Sequence, residues 1–80
     1  MIVTLRETHV RRGDEVRIYI DPGRSPVKLY LNGEWLPVMQ DPTRRVLTVS
    51  IPENAVSGSF EVRWQGKRYR SPYVVIDQGF

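Results

Sequence analysis

Apolar residues recur at every second position along most of the chain. Val16, Ile18 and Ile20 alternate with Arg17 and Tyr19, and Val27, Leu29 and Leu31 with Lys28 and Tyr30. Further on, Leu47, Val49 and Ile51 alternate with Thr48 and Ser50, and Phe60, Val62 and Trp64 with Glu61 and Arg63. A period of two sends alternate side chains to opposite faces, so each run reads as a half-buried β-strand. No stretch keeps the spacing of an amphipathic helix without a Pro or Gly cutting it. Turn residues separate the runs: Asp21 to Pro26, Asn32-Gly33, Asp41-Pro42-Thr43, Pro52 to Gly58, and Gln65 to Arg68. Pro72 interrupts the last strand and is expected at a bulge or a sheet edge. About seven short strands in this arrangement predict an all-β fold, a sandwich or a small barrel.

The chain has 80 residues, a length for one domain over 1–80 with a modest core. With no cysteine, no disulfide joins two sheets, and packing of Ile18, Val62 and Trp64 between them is expected to do so. A lone histidine, His9, and the lack of cysteine leave no zinc set and no Cys/His pair. No apolar run approaches the length of a membrane-spanning helix, and the N-terminus lacks the pattern of a signal peptide. Membrane insertion is therefore not expected, and localisation is left open.

The ordered set of strands and turns resembles the IPT/TIG family of immunoglobulin-like domains. The likeness begins with the Gly-led strand Gly13 to Ile20 and a strand ending in an Asn-Gly turn, Val27 to Gly33. It continues with Leu47 to Pro52, a strand closing on Pro, and the Ala55…Ser57-Gly58 turn. Phe60 to Gly66 and the return Ser71…Val74-Val75-Ile76 complete it. The resemblance implies an immunoglobulin-like β-sandwich that docks or spaces other parts of an assembly, without catalytic residues or a cofactor.

Charge sharpens the picture. The net charge is +3, and ten of the twelve cations are Arg, whose planar fork suits carboxylate and phosphate. Residues 61–70 hold four of the cations (Arg63, Lys67, Arg68, Arg70) against Glu61 alone, so the whole excess lies there. If Asn32-Gly33 is a two-residue turn, Leu31 faces Glu34, Tyr30 faces Trp35 and Leu29 faces Leu36. With Gly66-Lys67 as the last turn, Trp64 would face Tyr69 and Arg63 would face Arg70. In an immunoglobulin-like sandwich both hairpins share a sheet, and its outer face would carry Lys28, Tyr30, Trp35, Arg63 and Arg70. That composition suits a protein interface or a stacking platform for nucleic acid. It equally suits a stabilising Tyr30–Trp35 cross-strand pair under snorkelling arginines.

Other motifs read as architecture. Arg12-Gly13-Asp14, the tripeptide recognised by integrins, is expected to be a turn capped by Asp14. His9 is expected at a surface or edge. Asp14, Glu15, Asp21 and Asp41 fall where turns favour acidic residues rather than as a calcium site. No Gly pattern precedes a helix and no nucleophile elbow is present. The expected function is a non-catalytic immunoglobulin-like module that docks onto a partner protein, as an excised domain or an accessory subunit of a larger assembly such as a virion or an extracellular complex. The alternatives are a polyanion or nucleic-acid binder using Lys28, Arg63, Lys67, Arg68 and Arg70, and a carbohydrate-binding accessory domain stacking sugars on Trp35 and Tyr30.

Overall fold

The computed structural model describes residues 1–77. Nine strands run in the order β1 (Ile2–Leu5), β2 (His9–Arg11), β3 (Glu15–Asp21), β4 (Lys28–Leu31), β5 (Glu34–Leu36), β6 (Met39–Gln40), β7 (Val46–Ser50), β8 (Gly58–Trp64) and β9 (Lys67–Asp77). They form a four-stranded sheet, β1-β3-β7-β6, and a five-stranded sheet, β2-β9-β8-β4-β5. All pairs are antiparallel except β2 with β9. This is an immunoglobulin-like β-sandwich in which the first strand changes sheet part-way along. Two strands beyond the expected seven arise from that change and from β6, which is too short to show a period. The described residues contain no helix, and so none long and apolar enough to cross a membrane.

The period-two runs supply the core. Val16, Ile18 and Ile20 of β3 and Leu47 and Val49 of β7 face Leu29, Leu31, Leu36, Phe60, Val62, Val74 and Ile76 of the other sheet, all buried. Each such apolar side chain contributes roughly 1.5–3 kcal/mol by leaving water. Two expected core residues fall short. Val27 is only partly buried against the core. Trp64 lies at the end of β8, half-buried, with the Arg24 guanidinium 5.3 Å from its ring centroid. It is covered by the 21–27 loop instead of packing between the sheets beside Ile18 and Val62.

Pro72 sits at a bulge, as its missing N–H requires. Ser59 pairs with Tyr73 but Glu61 pairs with Arg70, so Ser71 and Pro72 together oppose Phe60. The Phe60 amide donates to Ser71 Oγ at 2.9 Å, and that hydroxyl donates to the Pro72 carbonyl at 2.8 Å. Beyond the bulge the facing reverses. Tyr69 and Ser71 point inward before it, Val74 and Ile76 after it, and Tyr73 and Val75 are turned to solvent.

Loops are tied by side chains. Asn32 Nδ2 donates to Val56 O at 3.0 Å, and its amide lies against Gly58 where a Cβ would have to sit. Asp41 accepts from the Thr43 hydroxyl and from the Arg45 and Val46 amides. Gln40 Nε2 bridges the Arg24 and Arg44 carbonyls at 2.6 and 3.1 Å.

Two predictions follow from this bonding. Ser71→Ala strands a buried amide and should cost about 1–3 kcal/mol, measurable as a lower urea midpoint with an unchanged m-value. The Thr43 hydroxyl, followed by the Val46 and Arg45 amides, holds the Asp41 carboxyl below its ordinary value of 3.8. Its stabilisation is therefore complete above the unfolded pKa and is lost as pH falls through the lower folded value. Asp41→Asn should melt below wild type near neutral pH, and the gap should narrow as acidification carries the pH through the lowered folded pKa.

Candidate functional site

The Asn32-Gly33 turn has both residues at positive φ, 51° and 80°, the geometry of a type I′ hairpin. It sets Tyr30 opposite Trp35 and Leu29 opposite Leu36, as the sequence predicts. The last hairpin differs. Its turn is Gln65-Gly66, with φ of 49° and 77°, and not Gly66-Lys67. Arg63 therefore faces Arg68, Val62 faces Tyr69, Glu61 faces Arg70 and Trp64 faces Lys67. Moving the turn by one residue changes each partner by two, so Arg68 and Arg70 remain on the outer face with Arg63. Lys67 does not join them; it shares the facing of Trp64 at the hairpin tip.

Pairing of β4 with β8 then builds two rows across the outer face. One row reads Arg70, Glu61, Tyr30, Trp35; the next reads Arg68, Arg63, Lys28. Six of the seven residues expected to bind thus share one face: Lys28, Tyr30, Trp35, Arg63, Arg68 and Arg70. Trp35 is 56% exposed. Tyr30 is half-buried because the Arg63 guanidinium carbon lies 3.8 Å from its ring centroid, a close cation–π stack. Arg63 Nε donates to Glu61 Oε2 at 2.7 Å, which raises the guanidinium pKa further above its high ordinary value. Glu61 thus anchors Arg63, and Arg63 closes one face of Tyr30.

Shallow depressions flank this trio. One of about 420 Å³ is lined by Asn32, Gly33, Ser59, Glu61, Arg63, Arg70 and Tyr73, among others. Another of about 380 Å³ is lined by Pro26, Lys28, Tyr30, Arg63, Trp64, Gln65 and Gly66. Tyr73, 60% exposed, is an outer-face aromatic that alternation alone hides, because the bulge decides which way it points.

The outer face of the four-stranded sheet provides a comparison. There Arg6 stacks on Tyr19 at 4.9 Å, above a depression lined by Arg6, Glu7, Glu15, Arg17 and Tyr19. Its two cations are matched by two acids. An Arg-on-Tyr stack therefore serves either sheet; the excess of cations belongs to the five-stranded face.

The remaining motifs behave as architecture. Arg12-Gly13-Asp14 forms a turn in which Asp14 Oδ2 accepts from the Arg11 amide at 2.9 Å. Arg12 Nε donates to Ala55 O at 3.1 Å, which ties the tripeptide to the neighbouring loop. His9 is exposed on β2, paired with Val75. Among the described residues no group of His, Asp and Glu is placed to hold a metal.

No family model and no curated protein matches the chain by sequence. Solved structures do match its fold. SGBP-B of a Bacteroides ovatus mixed-linkage glucan utilization locus, solved with a mixed-linkage heptasaccharide, is 16% identical with a TM-score of 0.64, over 96% of this chain and 23% of that one. A polysaccharide lyase is 16% identical with a TM-score of 0.65, over 99% and 12%. The IG27 domain is 10% identical with a TM-score of 0.57, over 98% and 96%. The chain thus spans less than a quarter of the first two, and a similar size to the third. Together with the strand order, these likenesses show an immunoglobulin-like β-sandwich, without singling out the IPT/TIG type.

Proposed function

We propose that the chain is a non-catalytic immunoglobulin-like accessory module that binds carbohydrate through the outer face of its five-stranded sheet. The observation that carries this reading is Trp35, 56% exposed on the outer face of the edge strand β5, with hydrogen-bonding side chains on the strands beside it. An open indole offers an apolar ring for a sugar face, while Glu61 and the nearby cations serve its hydroxyls. Two structural neighbours support the reading, one solved with a heptasaccharide and one a polysaccharide lyase. In both, the matched region is a small part of a larger chain, which suits an accessory role.

Docking onto a partner protein is the second reading, favoured by the Trp, Tyr and Arg composition of the face. Against it, the buried centre of a protein interface is depleted of charge, whereas Lys28, Glu61, Arg63, Arg68 and Arg70 fill the strands to one side of this tryptophan. A nucleic-acid platform stacks successive bases on open aromatic faces, and Arg63 already occupies one face of Tyr30.

Affinity electrophoresis in gels containing mixed-linkage glucan, xylan, polygalacturonate or alginate tests the proposal. The wild-type chain should be retarded in at least one gel, and Trp35→Ala should run free there while keeping its circular dichroism. Free migration in every gel, or equal retardation of the variant, would overturn it. A photo-crosslinking residue at position 35 that captured one protein in the native cell, absent when placed at Thr48, would favour the second reading instead.

A further inference from the structure

The second row of the outer face is unusual for a sheet. Arg68, Arg63 and Lys28 stand directly across from one another on β9, β8 and β4. Like charges in such opposition are destabilising, and adjacent strands are only about 4.8 Å apart. The middle cation is neutralised locally by Glu61 at 2.7 Å. Among the described residues, Lys28 and Arg68 have no carboxylate within ion-pair distance, nor does Arg70 in the neighbouring row. The face therefore holds open cations on either side of a closed one.

From this juxtaposition we infer that the carbohydrate bound here is an acidic polysaccharide, a chain of uronic acids laid across the strands. The inference rests on the carbohydrate reading of the same face and adds the substrate class. Lys28 and Arg68 lie two strand spacings apart, roughly 10 Å. That is close to the two-sugar repeat of an extended polysaccharide ribbon, in which alternate carboxylates project to the same side. One carboxylate meets the Arg68 fork, which can hold it through two parallel hydrogen bonds, and the next-but-one meets the Lys28 ammonium. The intervening sugar passes over Arg63, whose guanidinium is held flat by Tyr30 and needs no anion. Beyond Lys28 the ribbon reaches the edge strand β5, where Trp35, one row over beside Tyr30, offers its ring to a further sugar. Arg70 lies beside the row on β9 and adds to the field that attracts the chain.

Calorimetric titration of the full chain with hexagalacturonate, hexamannuronate and the neutral cellohexaose decides the matter, with a dT6 oligonucleotide as the competing polyanion. At least one uronate hexamer should bind about tenfold or more tighter than cellohexaose. In Lys28→Gln/Arg68→Gln that preference should fall about tenfold, and added salt should weaken the wild type towards the variant. The variant removes two exposed cations that oppose Arg63, so its urea midpoint should match or exceed wild type, which separates lost binding from lost folding. Equal affinity for acidic and neutral hexamers, or a preference unchanged in the variant, would overturn the inference while leaving the carbohydrate reading standing. Tighter binding of dT6 than of either uronate would overturn it in favour of nucleic acid. Absence of binding by every saccharide would remove both.

Discussion

The two-residue bulge at Ser71 and Pro72 is the constraint on which both faces of the five-stranded sheet depend. A strand of strict period two cannot put Tyr69 and Val74 on the same side, since they are an odd number of positions apart, five. The extra residue reverses the facing, and Val74 and Ile76 enter the core as a result. The bulge also decides what lies outside, for it leaves Arg68 and Arg70 outward on one side of Pro72 and Tyr73 and Val75 on the other. Its cost is an interrupted ladder at a buried position. Ser71 offsets that cost by taking the Phe60 amide, and on the next turn inward Ser57 Oγ accepts the Ile76 amide at 2.7 Å. Two hydroxyls thus close the hydrogen bonding of a strand that a proline would otherwise break, in line with the requirement that buried backbone groups be paired.

Much of this fold is legible in the sequence because the turns speak through residue type. Asn32-Gly33 names a two-residue turn, and the turn names the register, so Tyr30 could be set against Trp35 from spacing alone. The last hairpin shows the limit of that logic. A glycine suits the first central position of a type II′ turn and the second of a type I′ turn, so Gly66 fits either Gly66-Lys67 or Gln65-Gly66. Gln65 at positive φ gives no advance sign, since Gln is not among the residues that favour that region. The outer face is the same for either turn, because a turn displaced by one residue shifts partners by two and leaves parity intact. What moved was the pairing: Arg63 stands against Arg68 instead of Arg70, so Arg68 joins the cationic row and Arg70 falls opposite Glu61.

Trp64 marks a second boundary of sequence reading. Its alternation with Arg63 and Val62 places it inward, and its facing is indeed that of Val62. Facing is not burial, however. Core depth depends on whether the opposite sheet extends that far, and a period says nothing of strand length in the partner. At the end of β8 the ring is met by Arg24 from a loop, a contact between residues 40 apart in sequence that no local pattern encodes. The stack of Arg63 on Tyr30 likewise joins neighbouring strands; alternation anticipates arginines over the Tyr30–Trp35 pair without saying which one caps which ring.

The division of labour between the two faces explains why the candidate site can be charged at all. The inner face is aliphatic and carries the folding free energy, so the outer face is free of that duty. Lys28, Trp35, Arg68 and Arg70 contribute little burial, and the opposed cations among them act against folding if they act on it at all. Surface ion pairs are worth little even when formed, and among the described residues Glu61 pairs with Arg63 alone. On the four-stranded face Glu7 and Glu15 balance Arg6 and Arg17 in number, without an ion pair among the described residues, whereas Lys28, Arg68 and Arg70 outnumber the acid on the other face. Each outer face of this small sandwich carries an arginine stacked on a tyrosine, and the larger share of cations on the five-stranded side is why the proposed binding surface is placed there.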